Sequence, residues 1–277
     1  MPGGLVDSHR AVRQHIRWWA RARASYTDWR RMVSARRRSI DRNSTQIIFP
    51  FYHYVFPDER LAFERQLAYM RNYGDYLSLD DALKVIASPN RSRRDRFFCL
   101  TFDDGIASCY QHAFPILAEK NVPATFFIIA DYTEHIAAGQ VRHAAAMPGL
   151  KFSVEYVTWD ECREMQENGM TIGSHTCSHR RLSELDDIDA LTEMRNSKAL
   201  IERELGRACD HFASPWGRPN IDYRRGKHEV MARNLGYRSF SAVARGGMNY
   251  GESPYFVKRD FLYAHWDVRL LDFYFGR

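Results

Sequence analysis

The feature that most constrains this chain is Thr101-Phe102-Asp103-Asp104-Gly105, which closes an apolar run, Phe97-Phe98-Cys99-Leu100. The run reads as a strand buried on both faces. Two adjacent carboxylates at the end of such a strand stand where an α/β barrel keeps its chemistry. Side chains alternate along an extended chain, so Asp103 and Asp104 reach the same space only if the backbone turns there. Gly105 permits that turn. One carboxylate is then free to face a metal while its neighbour faces the reacting water. An Asp-Asp-Gly triplet alone is weak evidence, because Asp-Gly pairs are common in surface turns. Two motifs downstream give it weight.

The second motif is Gly173-Ser174-His175-Thr176-Cys177-Ser178-His179. Histidines four apart on a helical turn present both imidazoles on one face, a spacing suited to a single metal ion. On such a turn Cys177 points elsewhere, so it is not counted as a ligand. The third motif is Phe212-Ala213-Ser214-Pro215-Trp216-Gly217. A strand stopped by Pro and Gly leaves a turn that can aim an N–H at a developing oxyanion. Taken singly, these two have plain readings, a chance surface pair and an ordinary strand exit.

The remainder of the chain frames the motifs. Its 277 residues, 45% hydrophobic and 14% aromatic, suffice for one large α/β domain, or a medium domain with an extension. No apolar run approaches the roughly 20 residues of a membrane span. No segment resembles a signal-peptide core, so the expected compartment is the cytoplasm. Five cysteines without a CxxC pair argue against a disulfide framework or a zinc ribbon.

The net charge of +6 is unevenly placed. Residues 1–42 hold eleven arginines against Asp7, Asp28 and Asp41, a net +8, which leaves residues 43–277 at −2. The expected division is a basic extension, 1–42, and a nearly neutral domain, 43–277. Within the extension, Val12, Ile16, Trp19, Ala22, Tyr26, Trp29 and Val33 recur three and four apart. That pattern predicts a basic amphipathic helix over 9–38. It would either pack on the domain with a solvated arginine face or make peripheral contact with an anionic membrane. No nucleic-acid-binding module stands behind the charge, and no nucleic acid is expected.

From Gln46 onward, strands and helices alternate, which argues for parallel strands with crossover helices. Strands are expected at 47–53, before Asp103, and at 123–130, 169–174, 211–214, 237–243 and 255–261. Helices are expected at 59–72, 80–87, 159–168, 188–205 and 223–235, with one more between Gly105 and Lys120. Residues 131–156 read as a long loop with weak helical content, a rim over a site.

In their order, the three motifs resemble those of the polysaccharide deacetylase family, the NodB-homology domain of carbohydrate esterase family 4. Residues 101–105 match its TFDDG motif and 175–179 its H-[ST]-x-x-H motif, while 213–217 occupy its R-x-P-[YF]-G motif. Ile172 to Thr176, Leu182 to Leu185, and Glu193 with Ser197 and Lys198 agree as well. The resemblance covers roughly residues 46–262. It implies a distorted (β/α) barrel of about seven parallel strands, and metal-dependent removal of N-acetyl groups, sometimes O-acetyl or formyl, from sugars. By position, Asp104, His175 and His179 correspond to the metal triad, a set that leaves sites open for water and substrate. One divalent ion is implied, zinc first, with cobalt, nickel or manganese also suited. Asp103 corresponds to the catalytic base, and Trp216 to the aromatic residue whose backbone N–H helps hold the oxyanion.

Two positions depart from the family. Ala213 stands where the family has the arginine that orients the base. Arg259, at the end of the last expected strand, is the candidate replacement, with an ordinary surface arginine as the plain alternative. No L-x-H motif follows residue 217 to supply the family's late general-acid histidine. If the strand 47–53 closes the barrel beside the Asp-Asp strand, as in similar deacetylases of exopolysaccharide systems, His53 takes that place. His265 competes for it, within an aromatic tail (Phe261, Tyr263, Trp266, Phe273, Tyr274, Phe275) that reads as packing.

The leading reading is a metal-dependent carbohydrate N-deacetylase acting on an N-acetylated sugar. The other is a catalytically inactive glycan- or lipid-binding relative, favoured by the missing arginine and opposed by the intact aspartates, histidines and Pro-Trp-Gly turn. A cytoplasmic enzyme, placed peripherally at the inner membrane face if the basic helix adsorbs there, would meet lipid-linked, nucleotide-linked or short oligosaccharide amino sugars.

Overall fold

The computed structural model describes residues 8, 10, 46–88, 96–138 and 154–275. The expected helix over 9–38 lies outside them, apart from Arg10, whose backbone N–H donates to the Asp58 carboxylate at 3.1 Å. The first half of the chain forms β1 (Gln46–Ile48), β2 (Pro50–Tyr52), α1 (Arg60–Arg71), β3 (Asp75–Tyr76), α2 (Leu79–Ala87), β4 (Arg96–Phe98), β5 (Leu100–Phe102), α3 (Phe114–Glu119), β6 (Ala124–Ile128) and α4 (Ala130–Ala137). The second half forms α5 (Trp159–Glu167), β7 (Thr171–Ser174), α6 (Asp187–Leu205), β8 (His211–Ala213), α7 (Lys227–Asn234), β9 (Ser239–Val243), β10 (Met248–Asn249), β11 (Val257–Phe261) and α8 (Val268–Phe275).

Seven strands close into a barrel in the order β11-β2-β5-β6-β7-β8-β9. Every neighbouring pair is parallel, so all strand C-termini open on one face. Helices surround it, giving a distorted (β/α) barrel. The early strand β2 lies between the last strand, β11, and the Asp-Asp strand, β5.

The stretch 47–53, expected as one strand, is two. β1 joins a separate sheet, β10-β1-β4-β3, while β2 enters the barrel. Phe49 is the step between them, and Cys99 is the matching step between β4 and β5. The Cys99 N–H donates to the Ile48 carbonyl at 2.9 Å, so the two chains step together. Both residues are fully buried in one cluster with Ile47, Leu79, Phe127 and Val257. Because both faces of these strands are buried, no alternation in the sequence marks the step. Of the stretch 131–156, expected as a long loop with weak helical content, residues 131–137 belong to α4, 139–153 lie outside the described residues, and Tyr156 bridges Ile106.

Within the barrel the period of two sorts the side chains. Leu100, Phe102, Phe126, Ile172, Phe212 and Phe240 point outward into the main core under the helices. Phe102 stacks on Phe126 with centroids 4.6 Å apart, and burying such a ring contributes about 1.5–3 kcal/mol. The alternate residues point inward, among them Phe51, Thr101, Phe127 and Arg259. Gly173 is one of these, and a Cβ there would lie 2.6 Å from the Phe127 ring, so only glycine fits. Among the described residues no helix is long and apolar enough to cross a membrane.

Candidate active site

Alternation along β5 carries Asp103 into the barrel two residues after Thr101. Its N–H donates to the Tyr52 carbonyl at 2.9 Å. Asp104 should then face away, but the backbone turns at Asp104 itself (φ 72°) and again at Gly105 (φ 69°). Aspartate tolerates this left-handed conformation better than most residues. At Gly105 a Cβ would also come within 3.0 Å of the Ile128 side chain. The expected turn exists, and it is spread over two residues. Both carboxylates are nearly fully buried, at 3% and 4% exposure.

The Asp104 Oδ1 atom lies 3.3 Å from His175 Nε2 and 3.1 Å from His179 Nε2. One donor atom from each of the three residues lies within 4.8 Å of the others. The histidines do not stand on a helical turn, as their spacing suggested. β7 ends at Ser174, and the following loop reverses through left-handed backbone at Thr176 (φ 65°) and His179 (φ 62°). A tight loop thus performs the convergence attributed to a helix. The His175 Nδ1 atom is 2.8 Å from the Ala213 carbonyl. Only a protonated Nδ1 can donate there, so in the neutral ring Nε2 is the nitrogen left with a lone pair on the side of Asp104.

Burial pushes the Asp104 carboxyl up, but His53, His175 and His179 beside it hold it well below the usual carboxylate range. Its Oδ1 is buried with no hydrogen-bond partner among the described residues. This donor set, one carboxylate and two imidazoles, fits a divalent ion such as zinc.

Two helices hold the loop that carries the histidines. The Glu193 carboxylate on α6 accepts from the N–H groups of Cys177 and Ser178 at 3.0 and 2.9 Å, and from the Ser178 hydroxyl at 2.5 Å. At the start of α4, the N–H groups of Ala130 and Asp131 donate to the carbonyls of Thr176 and Cys177, both at 3.1 Å. In the sequence Glu193 stood out only as part of the motif's surroundings.

Asp103 is gripped by Arg259, which projects inward from β11. The two terminal guanidinium nitrogens donate to the two carboxylate oxygens at 2.6 and 2.8 Å. One of them also reaches the Thr101 hydroxyl at 3.1 Å. The guanidinium lies between the rings of Phe51 and Phe127, 4.6 and 5.4 Å from their centroids. Burial pushes the Asp103 carboxyl up, and Arg259, with His175 next, outweighs it and holds the group below its ordinary value. Arg259 is therefore no surface residue. It brings a guanidinium to Asp103 although position 213 holds alanine.

His53 follows β2 directly, and its Nε2 lies 3.9 Å from Asp104 Oδ2. The edges of Phe51 and Phe261 frame its ring, at 5.5 and 5.1 Å. Burial lowers the affinity of this imidazole for a proton, and the nearby Asp104 and Asp103 oppose the shift without cancelling it. His265 lies elsewhere, with Nδ1 2.9 Å from the buried Glu59 carboxylate.

The Pro215-Trp216-Gly217 turn has left-handed backbone at Trp216 (φ 61°) and Gly217 (φ 69°). The Val243 N–H donates to the Gly217 carbonyl at 2.7 Å, while no backbone acceptor among the described residues takes the Trp216 N–H. The indole lies 5.8 Å from the His179 ring and carries the Arg181 guanidinium at 4.3 Å. Buried Asp222 anchors this wall, 3.1 Å from the Arg181 Nε and bidentate to Arg218. No sequence motif pointed to Asp222.

A family model described as polysaccharide deacetylase matches residues 90–239. YxkH of Bacillus subtilis (strain 168), assigned to the polysaccharide deacetylases, is 23% identical over 71% of this chain and 62% of its own length. The chitin deacetylase of Colletotrichum lindemuthianum is 28% identical over 42% of this chain and 40% of its own. The chain thus spans less than two thirds of the length of these curated relatives. Among solved structures, IcaB from Ammonifex degensii superposes with a TM-score of 0.64 at 23% identity, covering 79% of this chain and 92% of its own. The Streptococcus pyogenes deacetylase PplD, in complex with acetate, gives the same score and identity, covering 82% and 96%. Both structural likenesses bear on the fold.

Proposed function

This chain belongs to the polysaccharide deacetylase family, and on that premise we propose that it is a metal-dependent hydrolase removing an N-acetyl group from an amino sugar. The observation that carries this reading is the pairing of two carboxylates with separate tasks. Asp104 converges with His175 and His179, while its neighbour Asp103 is held by Arg259. A divalent ion bound by Asp104, His175 and His179, zinc first, would supply Lewis acidity to the acetamide carbonyl and acidity to a water.

Asp103 acts as the general base, taking a proton from the water that attacks the amide carbon. Arg259 keeps that carboxylate ionised and aimed, and each oxygen retains a lone pair beyond the one it gives the guanidinium. The Trp216 N–H donates to the developing oxyanion. As the C–N bond breaks, the amine leaves as a neutral group only if protonated. His53 donates that proton, so the products are acetate and the free amino sugar. Phe51 and Phe261, packed against His53, limit water around the proton it carries.

The substrate class we favour is a glycan or glycan precursor, lipid-linked or oligosaccharide. The basic, tryptophan-bearing pattern of residues 9–38 supports peripheral contact with an anionic membrane, where a lipid-linked substrate resides. Five free cysteines, four of them buried, suit a reducing compartment. Acetate release from acetylated amino sugars presented free, as oligomers and lipid-linked, with and without added divalent metal, tests the proposal. Metal-dependent release from at least one of these is expected. No release from any of them by metal-loaded protein would overturn it.

A further inference from the structure

His53 stands where the chain leaves the barrel. From Tyr54 to Phe56 the backbone has no regular structure, although all three residues are buried. His53 alone in this segment is partly exposed. An imidazole on irregular backbone keeps a fixed place beside Asp104 only if other groups hold that backbone. Two contacts do so. At one end the Cys109 thiol donates to the His53 carbonyl at 3.4 Å. At the other the Phe56 N–H donates to the Glu59 carboxylate at 3.0 Å, and the Glu59 N–H returns to the Phe56 carbonyl at 2.9 Å.

Glu59 is 1% exposed, and its second oxygen lies 2.9 Å from His265 Nδ1. A carboxylate only accepts, so Nδ1 carries the proton. His265 itself stands on a fixed support. It belongs to the turn after β11, closed by the Trp266 N–H on the Tyr263 carbonyl at 3.1 Å. The buried Gln66 amide on α1 donates to the carbonyls of Tyr263, Ala264 and Trp266 at 2.9, 3.0 and 2.9 Å. Its oxygen accepts from the hydroxyl of Tyr52, the residue before His53, at 2.9 Å. Bonded polar groups thus tie the turn to both sides of His53. Packing does not require this arrangement. A buried carboxylate loses its hydration, and an apolar side chain would fill the space beside Phe56 without that cost. What the carboxylate adds is a simultaneous hold on Phe56 and His265, which sets the backbone three residues from the imidazole. His53 tolerates little displacement, because its proton must reach the departing nitrogen within hydrogen-bond range. We propose that Glu59 is a positioning residue for the general acid, with His265 as its anchor, and that the pair holds His53 where it protonates the leaving amine. The inference rests on the deacetylase reading and on the role of His53 within it.

The test compares two acetyl substrates that differ in their leaving groups, given to the full metal-loaded chain. The amide is whichever of free, oligomeric or lipid-linked N-acetylglucosamine releases acetate fastest, and its amine leaves only when protonated. The ester is 4-nitrophenyl acetate, whose 4-nitrophenolate leaves without a proton. A lost or misplaced acid lowers the amide-to-ester ratio of kcat, whereas damage to the metal site or the fold lowers both rates. His53→Ala should lower the ratio roughly 100-fold or more. Glu59→Ala should lower it about 10- to 100-fold, the upper figure being the cost of a misplacement of about 1 Å, with KM and metal content unchanged. Glu59→Gln keeps an oxygen for the Phe56 N–H and should restore most of the ratio. The double variant should lose no more than His53→Ala alone. Should Glu59→Ala fail to fold, His265→Ala removes the anchor from the partly exposed side of the pair and should lower the same ratio. A wild-type ratio in the variant that folds, an equal fall in both rates, or losses that multiply in the double variant overturns the inference and leaves the deacetylase reading intact. Acetate from none of the amides with metal-loaded wild type sinks that reading, and the inference with it.

Discussion

Arg259 holds Asp103 by both terminal nitrogens, at 2.6 and 2.8 Å, from a strand that reaches β5 only across β2. The pair is buried, and its geometry depends on the planar fork that arginine has and lysine lacks. Arg259→Lys should therefore keep a positive charge near Asp103 but lose its orientation. Turnover is expected to fall roughly 10- to 100-fold, part of the roughly 100- to 10,000-fold that general-base help supplies, with metal content unchanged. Arg259→Met should also destabilise the fold by about 3–5 kcal/mol, because it leaves a buried carboxylate unpaired. Steady-state kinetics and denaturant unfolding measure the two effects separately. A lysine variant with wild-type turnover would mean that positive charge beside Asp103 suffices without the guanidinium fork.

His53 stands 3.9 Å from Asp104 with a partly exposed ring, whereas His265 is held by Glu59. His53→Ala should keep its metal and fold but lose roughly 100-fold or more in kcat, since an unprotonated amine is a poor leaving group. Metal analysis alongside kcat tells a lost acid from a lost ligand. If turnover survives in this variant, another group protonates the amine.

Glu193 accepts three hydrogen bonds from Cys177 and Ser178, two of the three residues between the histidines. Groups that fix metal ligands in this way typically change metal affinity 10- to 100-fold when removed. Glu193→Gln retains an acceptor oxygen and should weaken affinity less than Glu193→Ala. Competition with a chelator of known strength gives both values. Equal affinities in wild type and the alanine variant would show that α4 alone holds the loop.

Much of the site was legible because its residues lie in short contiguous motifs. Asp103, Asp104, His175 and His179 could be named from the order of their motifs alone. The mechanism of their convergence could not. The four-residue spacing fits a helical turn, but left-handed backbone at Thr176 and His179 makes a loop instead. Glycine usually announces such backbone, and neither position is glycine. Arg259 was visible only as a candidate, because its bond to Asp103 spans 156 residues of sequence and no local pattern encodes it. The step at Phe49 was hidden for a different reason. A strand buried on both faces shows one apolar run, whether it stays in one sheet or passes between two. The aromatic tail read as packing, and Trp266 and Phe275 are buried in the main core with Tyr263 packed against it.

Asp222 offers a test of stability against pH. Burial pushes its carboxyl up, but Arg218 outweighs this, aided by Arg181, and holds it below its ordinary value. A carboxyl lowered in the folded state stabilises the fold above its unfolded pKa of about 3.9, and that contribution is lost as pH falls through the folded value. Asp222→Asn should therefore unfold more easily than wild type at neutral pH, by about 1–3 kcal/mol. The difference should shrink below pH ~4. Thermal unfolding across pH 3–7 measures it, and a constant difference would place the effect in packing instead of charge.

The central claim is that Asp104, His175 and His179 together hold a divalent ion without which no acetate is released. Its most direct measurement is metal content by elemental analysis, paired with acetate release from an acetylated amino-sugar oligomer, in wild type and in His175→Ala. The account predicts close to one ion per chain and measurable release in wild type, with both lost together in the variant. Full metal occupancy in His175→Ala, or release by wild type stripped of metal, would contradict it.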